Sequence, residues 1–468
     1  MQIITAKDIA QAGLARLSDL FMIIDDWHAT SVEGYAFDVS ANGLAAAQEA
    51  AWLVLVDGNP VDLRILDAQN LNTLPLSLTD IDYVEVHNTP AFVNGLFAQA
   101  GLLHLHTVKP DPGATLRVGL AAGNEIDDPG PFRYTAFATP NIDRIGPTLQ
   151  GTVSVAGSAW HARAHGKLDE HHSTDERIRQ RVFSFYQGEK DPRLLLASAG
   201  LDLGTMGRLG QHNVFAGFSR YQDLPFFEPV GLETPTDHRF LHAGLRGDSD
   251  PGEPTGLSYR LSYTVSELVP RNNKGSVNFD WRQNTFRGQY EVRSARERVR
   301  GALGLSLDRI ESLTGAELDD ASLSIPRAYG RLGVRSDERW DAHLTAYITR
   351  VKGQHGYGGL ATVKITPTPI HTIMLTGSAA RQPFQATNSL WYWMGQGYTF
   401  QMHRQTDITL PTGYRASTTY TADLAWTVRP SDRLDLTLSG GYRRFDDRTL
   451  ASYTFRYDSL TTGFFTDT

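Results

Sequence analysis

Histidines are the residues in this chain whose spacing most readily suggests chemistry, because imidazole binds transition metals and exchanges protons near neutral pH. The densest group lies in WHARAHGKLDEHH, where His161, Arg163 and His165 would share one strand face and His171 and His172 follow. Imidazoles four residues apart on a strand are about 13 Å apart, too far to bind one metal ion by themselves. Polar strand or loop residues are therefore the commoner interpretation, and ligand contact is the rarer one.

Sequence signatures of catalysis are missing. The chain contains no G-x-S-x-G, H-E-x-x-H or P-loop motif. Gly204, Gly207 and Gly210 follow no βαβ pattern and do not form a dinucleotide-binding fingerprint. We therefore expect no enzyme activity and no cofactor, and we assign neither a catalytic residue nor a metal ligand.

The composition excludes several classes of protein. The 468 residues include no Cys, which removes disulfide scaffolds, Cys-ligated zinc, iron–sulfur clusters and thiol catalysis. A net charge of −8 argues against a nucleic-acid partner. No apolar run approaches the ~18 residues of a transmembrane helix. The opening MQIITAKDIA lacks the profile of a signal peptide, so the chain is either cytosolic or begins after its true start.

Stepping from these residues to the elements that hold them, residues 1–110 are predicted to be mixed α/β. Thr5 and Asp8 have the spacing of a capping box, which opens a helix, and a second helix is predicted over 44–51. Asp57-Gly58 is a dipeptide that closes a hairpin, because Gly accepts positive φ. Short strands are predicted at 52–56, 81–86 and 101–108.

This region resembles the plug domain of TonB-dependent outer-membrane receptors. The likeness is carried, in the family's order, by IITAKDI (3–9), LVLVDGNPV (53–61), NLNTLP (70–75), IDYVEV (81–86), Pro90-Ala91 and GLLHLHTVKP (101–110). The chain departs from the family at Asn88-Thr89-Pro90, where Arg-Gly-Pro is usual. No residues remain upstream of Ile3 to hold the TonB box. The resemblance implies a plug domain at 1–110.

The resemblance also implies which plug residues face a ligand. The segment 61–69 matches an apical plug loop, so Arg64, Asp67 and Gln69 are expected to bind the ligand. His104 and His106 share a face of a plug strand. They would either meet a carboxylate on the barrel wall or, more commonly, pack against the wall.

Residues 111–468 favour a transmembrane antiparallel β-barrel by their own pattern. Apolar and polar residues alternate over runs of nine to twelve residues, such as 257–265 and 299–308, whereas soluble strands average about 5–6 residues and membrane strands need ~9–11. Arg and Asp in mid-strand suit a wet lumen. Helical periodicity is limited to 308–320.

The number of strands is small for a plugged receptor. We count about 15–18 candidate strands, fewer than the roughly 22 of plugged outer-membrane transporters. The barrel is therefore either shortened at both ends or a smaller, divergent one.

These observations support three hypotheses. The first is an outer-membrane receptor that binds a scarce nutrient of the siderophore, cobalamin, haem or glycan class for TonB-coupled uptake. Its partners are outer-membrane lipid, a small-molecule or metal-chelate ligand and, if an upstream segment carries the box, TonB. The second is a non-transporting structural barrel of the same descent that binds a partner protein. The third is a soluble extracytoplasmic β protein.

Overall fold

Strands dominate the computed structural model of the chain. Helical structure among the described residues is limited to α1 (Ala6–Gln11) and 3-10 turns at Leu17–Ile23, Leu71–Thr73 and Leu78–Asp80. None of these helices is long and apolar enough to cross a membrane. The structure describes residues 2–32, 36–41, 44–45, 52–61, 64–65, 68–69, 71–93, 95–98, 101–110, 112–126, 142–172, 193–207, 210–226, 234–249, 254–270, 281–314, 321–336, 339–351, 353–385, 407–409, 414–431, 434–446 and 454–456.

Short strands build the N-terminal part, which we call the plug. They are β1 (Gln2–Thr5), β2 (Trp27–Val32), β3 (Ala36–Ala41), β4 (Leu44–Ala45), β5 (Trp52–Val56), β6 (Asn59–Val61), β7 (Arg64–Ile65), β8 (Ala68–Gln69), β9 (Ile81–His87), β10 (Ala91–Val93), β11 (Leu96–Ala98) and β12 (Gly101–Thr107). Five of them form one sheet in the order β1-β9-β12-β5-β6, in which β12 and β5 are parallel. The others form the sheet β2-β3-β4 and the hairpins β7–β8 and β10–β11.

The helix-opening signal in the sequence is confirmed. The Thr5 hydroxyl accepts a hydrogen bond from the Asp8 amide at 3.3 Å, and the Asp8 carboxylate accepts one from the Thr5 amide at 2.8 Å. The second predicted helix is wrong at its start, because Leu44–Ala45 pairs with β3 as a strand. The rest of that prediction lies outside the described residues.

One face of the five-stranded plug sheet carries the plug's apolar core. Alternate residues of its strands point to this face, as the two-residue period of a strand requires. Phe21, Trp27 and Trp52 pack together there, with ring centroids 5.0–6.3 Å apart. The buried core residues of the sheet itself are Ile4, Trp52, Val54, Val61, Val84, Val86, Leu103 and Leu105.

The remainder of the described chain is one large antiparallel sheet, which we call the barrel sheet. Its strands are β13 (Gly113–Ile126), β14 (Ile142–Ala156), β15 (Trp160–His172), β16 (Arg193–Gly207), β17 (Gly210–Phe226), β18 (Thr234–Asp248), β19 (Thr255–Pro270), β20 (Trp281–Ala295), β21 (Val299–Thr314), β22 (Ala321–Ser336), β23 (Trp340–Val351), β24 (Gln354–Thr368), β25 (His371–Gln385), β27 (Tyr414–Ser431) and β28 (Leu434–Asp446). A separate ribbon pairs β26 (Asp407–Thr409) with β29 (Thr454–Arg456). The described strands of the barrel sheet number 15, within the range counted from the sequence.

The barrel sheet has a polar inner face and an apolar outer face. On β14, Thr148, Gln150, Thr152 and Ser154 are buried, whereas the alternating residues Leu149, Val153 and Val155 are exposed. The same alternation continues on β19 and β21. An outward apolar band with a polar lumen is the pattern of a barrel surrounded by lipid, so the predicted fold class is confirmed.

The two ends of the barrel sheet have unequal connections. At one end, called the turn end, strands are joined by segments such as 157–159, 208–209 and 296–298. At the other, called the loop end, the connections include 127–141 and 173–192. The chain enters the barrel sheet from the plug at the turn end, because Gly113 pairs with Ala156.

The predicted helical segment at 308–320 is wrong over its described part. β21 continues as a strand to Thr314 and stays in register with β22. Asp308 lies on the inner face of that strand, where it pairs with Arg287 and Arg327 at 2.8 Å. The apolar spacing that resembled a helix belongs to the outer face of a long strand.

Candidate functional site

The segment predicted to bind a ligand forms a short hairpin. β7 and β8 pair in antiparallel register, with Arg64 opposite Gln69, and β8 lies beside β3. Asp67 lies outside the described residues. The structure thus brings the backbones of Arg64 and Gln69 together, and their role in ligand binding stays a prediction.

The Asp57-Gly58 turn sets the direction of this hairpin. The turn joins β5 to β6, and both of its residues have positive φ, 48° and 80°, as a two-residue hairpin turn requires. β6 is antiparallel to β5, so the chain leaves the turn towards mid-barrel. There the carbonyl of Pro60 accepts a hydrogen bond from Arg287 at 3.4 Å.

Asp57 joins two plug strands to the barrel wall. Its carboxylate accepts hydrogen bonds from the amide and the hydroxyl of Thr107 at 2.8 and 2.7 Å. Arg246, near the turn end of β18, donates to the Asp57 carbonyl and lies 3.5 Å from the carboxylate. Burial by itself would raise the pKa of Asp57, but Arg246 and the Thr107 hydrogen bonds outweigh it and hold the pKa below its usual range.

Asp80 makes a second polar contact with the wall. Its carboxylate accepts hydrogen bonds from Ser77 within the plug and, at 2.6 Å, from the Thr152 hydroxyl of β14. The Nδ1 atom of His165 lies 3.2 Å away. Burial would raise the pKa of Asp80, but the contacts with His165 and Thr152 lower it to about 2.

Wall side chains also bind plug carbonyl groups directly. This type of contact extends from β15 to β28, so the barrel sheet surrounds the plug along most of its described width. The pairs are Arg163 with Val108, Lys167 with Asn72, Ser219 with Thr73, Arg287 with Pro60 and Arg443 with Asn88.

An aromatic cluster adds one apolar contact between the hairpin β10–β11 and the wall. Phe92 has ring centroids 5.4 Å from both Tyr329 and Tyr347, and Phe97 lies 5.8 Å from Tyr347. All four rings are buried. The plug is therefore held by one aromatic contact and a larger set of hydrogen bonds and ion pairs.

The plug sheet carries a cluster of histidines around one carboxylate on the face opposite its core. Adjacent β9 and β12 place Glu85 opposite His104. Glu85 lies 3.2 Å from His106 Nε2, 3.8 Å from His104 Nδ1 and 2.6 Å from His87 Nε2. Tyr83 stacks on His106 with a centroid distance of 4.0 Å.

The charge of this cluster follows from its surroundings. Burial, and then the neighbouring His106, lowers the pKa of His104 to about 4, so this imidazole is neutral at pH 7. Burial would raise the pKa of Glu85, but the hydrogen bonds from His87 and His106 outweigh it and lower the pKa. Glu85 is therefore a carboxylate at neutral pH.

The partner predicted for His104 and His106 is corrected by this arrangement. A barrel-wall carboxylate was one expectation, but the nearby carboxylate is Glu85 on the adjacent plug strand. The sequence contained a usable signal, because IDYVEV and LLHLHT both alternate and would pair as strands. Their register, however, depends on the fold of the plug and not on either segment alone.

The dense histidine group on β15 is divided between two partners. His161 Nε2 lies 3.0 Å from Asp202 on β16, whereas His165 Nδ1 lies 3.2 Å from Asp80 on the plug. Each imidazole has its own carboxylate, so His161 and His165 do not form one site.

Comparison with known proteins places this geometry among solved receptors. No family model matches the chain, and no curated protein is similar to it in sequence. Among solved structures, a mutant ferric enterobactin receptor (PfeA) from Pseudomonas aeruginosa matches with TM-score 0.70 at 13% identity, over 95% of this chain and 71% of that one. The siderophore receptor PirA from Acinetobacter baumannii gives 0.68 at 14%, over 96% and 70%.

A further match is the copper transporter OprC, with TM-score 0.65 at 13% identity over 94% of this chain and 70% of that one. Identities this low are evidence for the fold alone. The chain therefore has the plug-and-barrel fold of TonB-dependent outer-membrane receptors, the family that its plug residues resemble.

Proposed function

We propose that the protein is an outer-membrane receptor that binds a small-molecule or metal-chelate ligand and imports it through the barrel by displacing the plug. The observation that carries this proposal is the chemistry of the plug–wall contact. The plug fills the lumen but is held mainly by polar contacts such as Asp57–Arg246 and Asp80–Thr152.

Polar contacts of this kind suit a plug that has to move. Hydrogen bonds and exposed ion pairs can be exchanged for water with little net cost, about 0.5–1.5 kcal/mol each, whereas opening an apolar core exposes its whole area to water. By the family resemblance, the inner-membrane TonB complex would supply the pull on the plug. We infer that transport, and not catalysis, is the activity of this fold.

The likeness to solved receptors supports a metal-chelate ligand. The titles of the similar structures describe receptors for ferric enterobactin and other siderophores and a copper transporter. Short periplasmic turns and longer external loops are the rule for such barrels. The loop end would then face outwards, and the hairpin that follows β6 would face the incoming ligand with Arg64, Asp67 and Gln69.

Binding of a panel of ferric siderophores to the purified protein in detergent tests the ligand site. We expect Arg64→Ala, Asp67→Ala and Gln69→Ala each to weaken binding of whichever ferric chelate binds. A lost hydrogen bond to a charged group corresponds to roughly a tenfold loss of affinity. Isothermal titration calorimetry or tryptophan fluorescence would measure the dissociation constant.

Arg309→Ala is the matched control, because Arg309 is an exposed arginine near the loop end of β21 that pairs with Glu311 of its own strand. It should leave the affinity unchanged. Equal affinities for the wild type and all three hairpin variants would remove these residues from the site. Failure of every chelate to bind would count against the receptor proposal itself.

A further inference from the structure

The plug contains a group of metal-binding side chains that the receptor function does not require. Glu85, His104 and His106 each offer one ligand atom, and these three atoms all lie within 4.8 Å of one another. Two imidazoles and a carboxylate are a ligand set suited to Zn²⁺, Cu²⁺ or Ni²⁺. We propose that these three residues bind one such transition-metal dication on the plug sheet.

The distances are close to those of a bound ion. Ligand atoms around a tetrahedral zinc ion with bonds of about 2.0–2.1 Å lie roughly 3.3 Å apart. His106 Nε2 and His104 Nδ1 already lie 3.2 and 3.8 Å from Glu85 Oε2. Small side-chain rotations would bring all three atoms to one ion, without moving a strand.

The site is held in shape and remains open to solvent. Tyr83 and His104 stack on opposite neighbours of the ring set, with centroid distances to His106 of 4.0 and 3.7 Å. His87 Nε2 binds the second Glu85 oxygen at 2.6 Å, which is how an outer-shell residue orients a ligating carboxylate. Between 17% and 25% of each ligand side chain is exposed, so water can complete the coordination.

Metal binding is coupled to the Asp57-Gly58 turn through one proton. The Gly58 amide donates a hydrogen bond to His104 Nε2 at 2.7 Å, so the proton of the neutral ring sits on Nδ1, towards Glu85. A metal bound at Nδ1 moves that proton to Nε2, where two N–H groups would face each other. The turn must therefore release this hydrogen bond when the ion binds.

Titration of the chelator-treated, untagged protein in detergent with Cu²⁺ tests the proposal, with electron paramagnetic resonance as the readout. We expect one ion per chain with nitrogen couplings from two imidazoles. His106→Gln should remove one nitrogen coupling and weaken binding by more than tenfold. His87→Gln should keep both couplings and weaken binding by about 10–100-fold, as outer-shell changes do.

Glu85→Gln is the second variant, since it keeps the shape of the side chain and removes its charge. It should weaken Cu²⁺ binding while far-UV circular dichroism and the melting temperature show a folded protein. His343→Gln is the matched control, because His343 is an exposed barrel histidine beside Asp341. Binding that is unchanged in His106→Gln and Glu85→Gln would overturn the proposal, as would a copper signal without nitrogen couplings.

This inference does not depend on the proposed function, because it requires neither a chelate ligand nor uptake. A protein that binds Cu²⁺ at this site and imports nothing would refute the receptor proposal alone. Hydrogen exchange provides a separate readout of the coupling: metal should speed exchange of the Gly58 amide, and slower exchange would contradict the coupling.

Discussion

At the residue scale, the carboxylates of the plug were only partly predictable. The sequence identified Asp57 through the Asp-Gly turn signal and Asp8 through the capping box, because both roles depend on neighbours within three residues. Asp80 and Glu85 gave no local signal. Their partners, Thr152 and His104, become adjacent only when distant strands meet.

The ligand residues show the same limit. Arg64, Asp67 and Gln69 were named from the family resemblance, and the structure adds only that Arg64 and Gln69 pair across a hairpin. A ligand site assembled from an apical hairpin and surrounding loops is fixed by the ligand's shape as much as by the chain. Residue spacing alone cannot identify such a site.

Asp80 should make the stability of the plug depend on pH. Its pKa in the folded protein is about 2, lower than the usual 3.8, so the stabilisation is complete above about pH 4 and is lost as pH falls towards 2. The shift corresponds to stability on the order of 2 kcal/mol. Urea unfolding in detergent between those pH values would measure it.

Asp80→Asn is the variant that isolates this contribution, because the amide keeps the shape but does not titrate. We expect it to be less stable than the wild type at pH 6, with a smaller loss of stability on acidification. Asp25→Asn, near the start of β2, is a matched control for a titrating plug carboxylate. If Asp80→Asn and the wild type lose the same stability between pH 4 and 2, Asp80 does not hold the plug.

At the element scale, strands were easier to predict than helices. The hairpin at Asp57-Gly58 and the alternating runs 257–265 and 299–308 were predicted because a strand's two-residue period is visible in the residues themselves. The helix expected at 308–320 failed because a long strand with an interrupted outer face also places apolar residues three and four apart. The helix expected at 44–51 begins instead as a strand that pairs with β3.

The hairpin β10–β11 should be the plug element most sensitive to truncation of an aromatic side chain. Phe92 is buried between Tyr329 and Tyr347 of the wall, and Phe→Ala in a packed core typically costs about 3–5 kcal/mol. We expect Phe92→Ala to loosen the plug from the wall. Limited proteolysis and hydrogen exchange over residues 81–107 would report the change.

Phe286→Ala is the control for this substitution, because the Phe286 ring lies on the outer face of β20 and is 42% exposed. It should leave exchange in the plug unchanged. Equal protection of the plug in Phe92→Ala and Phe286→Ala would mean that the aromatic cluster contributes little to docking and that the polar contacts suffice.

At the scale of the whole molecule, the fold was predictable and the way the plug is held was not. Strand length and a polar face on each strand indicated a lipid-facing barrel, and the plug motifs indicated what fills it. The contacts between the two depend on the shape and register of the whole barrel sheet. The inner-face partners Arg246, Lys167 and Arg443 could therefore not be chosen from the many charged residues on these strands.

The absence of Cys from the chain allows a direct test of plug movement. The hydroxyl oxygens of Thr79 in the plug and Thr152 on β14 lie 3.2 Å apart, so Thr79→Cys with Thr152→Cys places two sulfur atoms within reach of a disulfide. The oxidised pair would tie the plug to the wall. The reduced form of the same protein is the control for any effect of the substitutions, and each single-Cys variant is the control for oxidation.

The decisive measurement is uptake of the ferric chelate that the protein binds, in cells that carry this paired-Cys variant, compared before and after reduction of the disulfide. A receptor that imports its ligand by displacing the plug should bind the chelate in both forms, import it when reduced and fail to import it when oxidised. Equal uptake in the oxidised and reduced forms would show that the plug need not move. No uptake in either form, with binding intact and the wild type equally inactive, would contradict transport and favour a barrel that only binds.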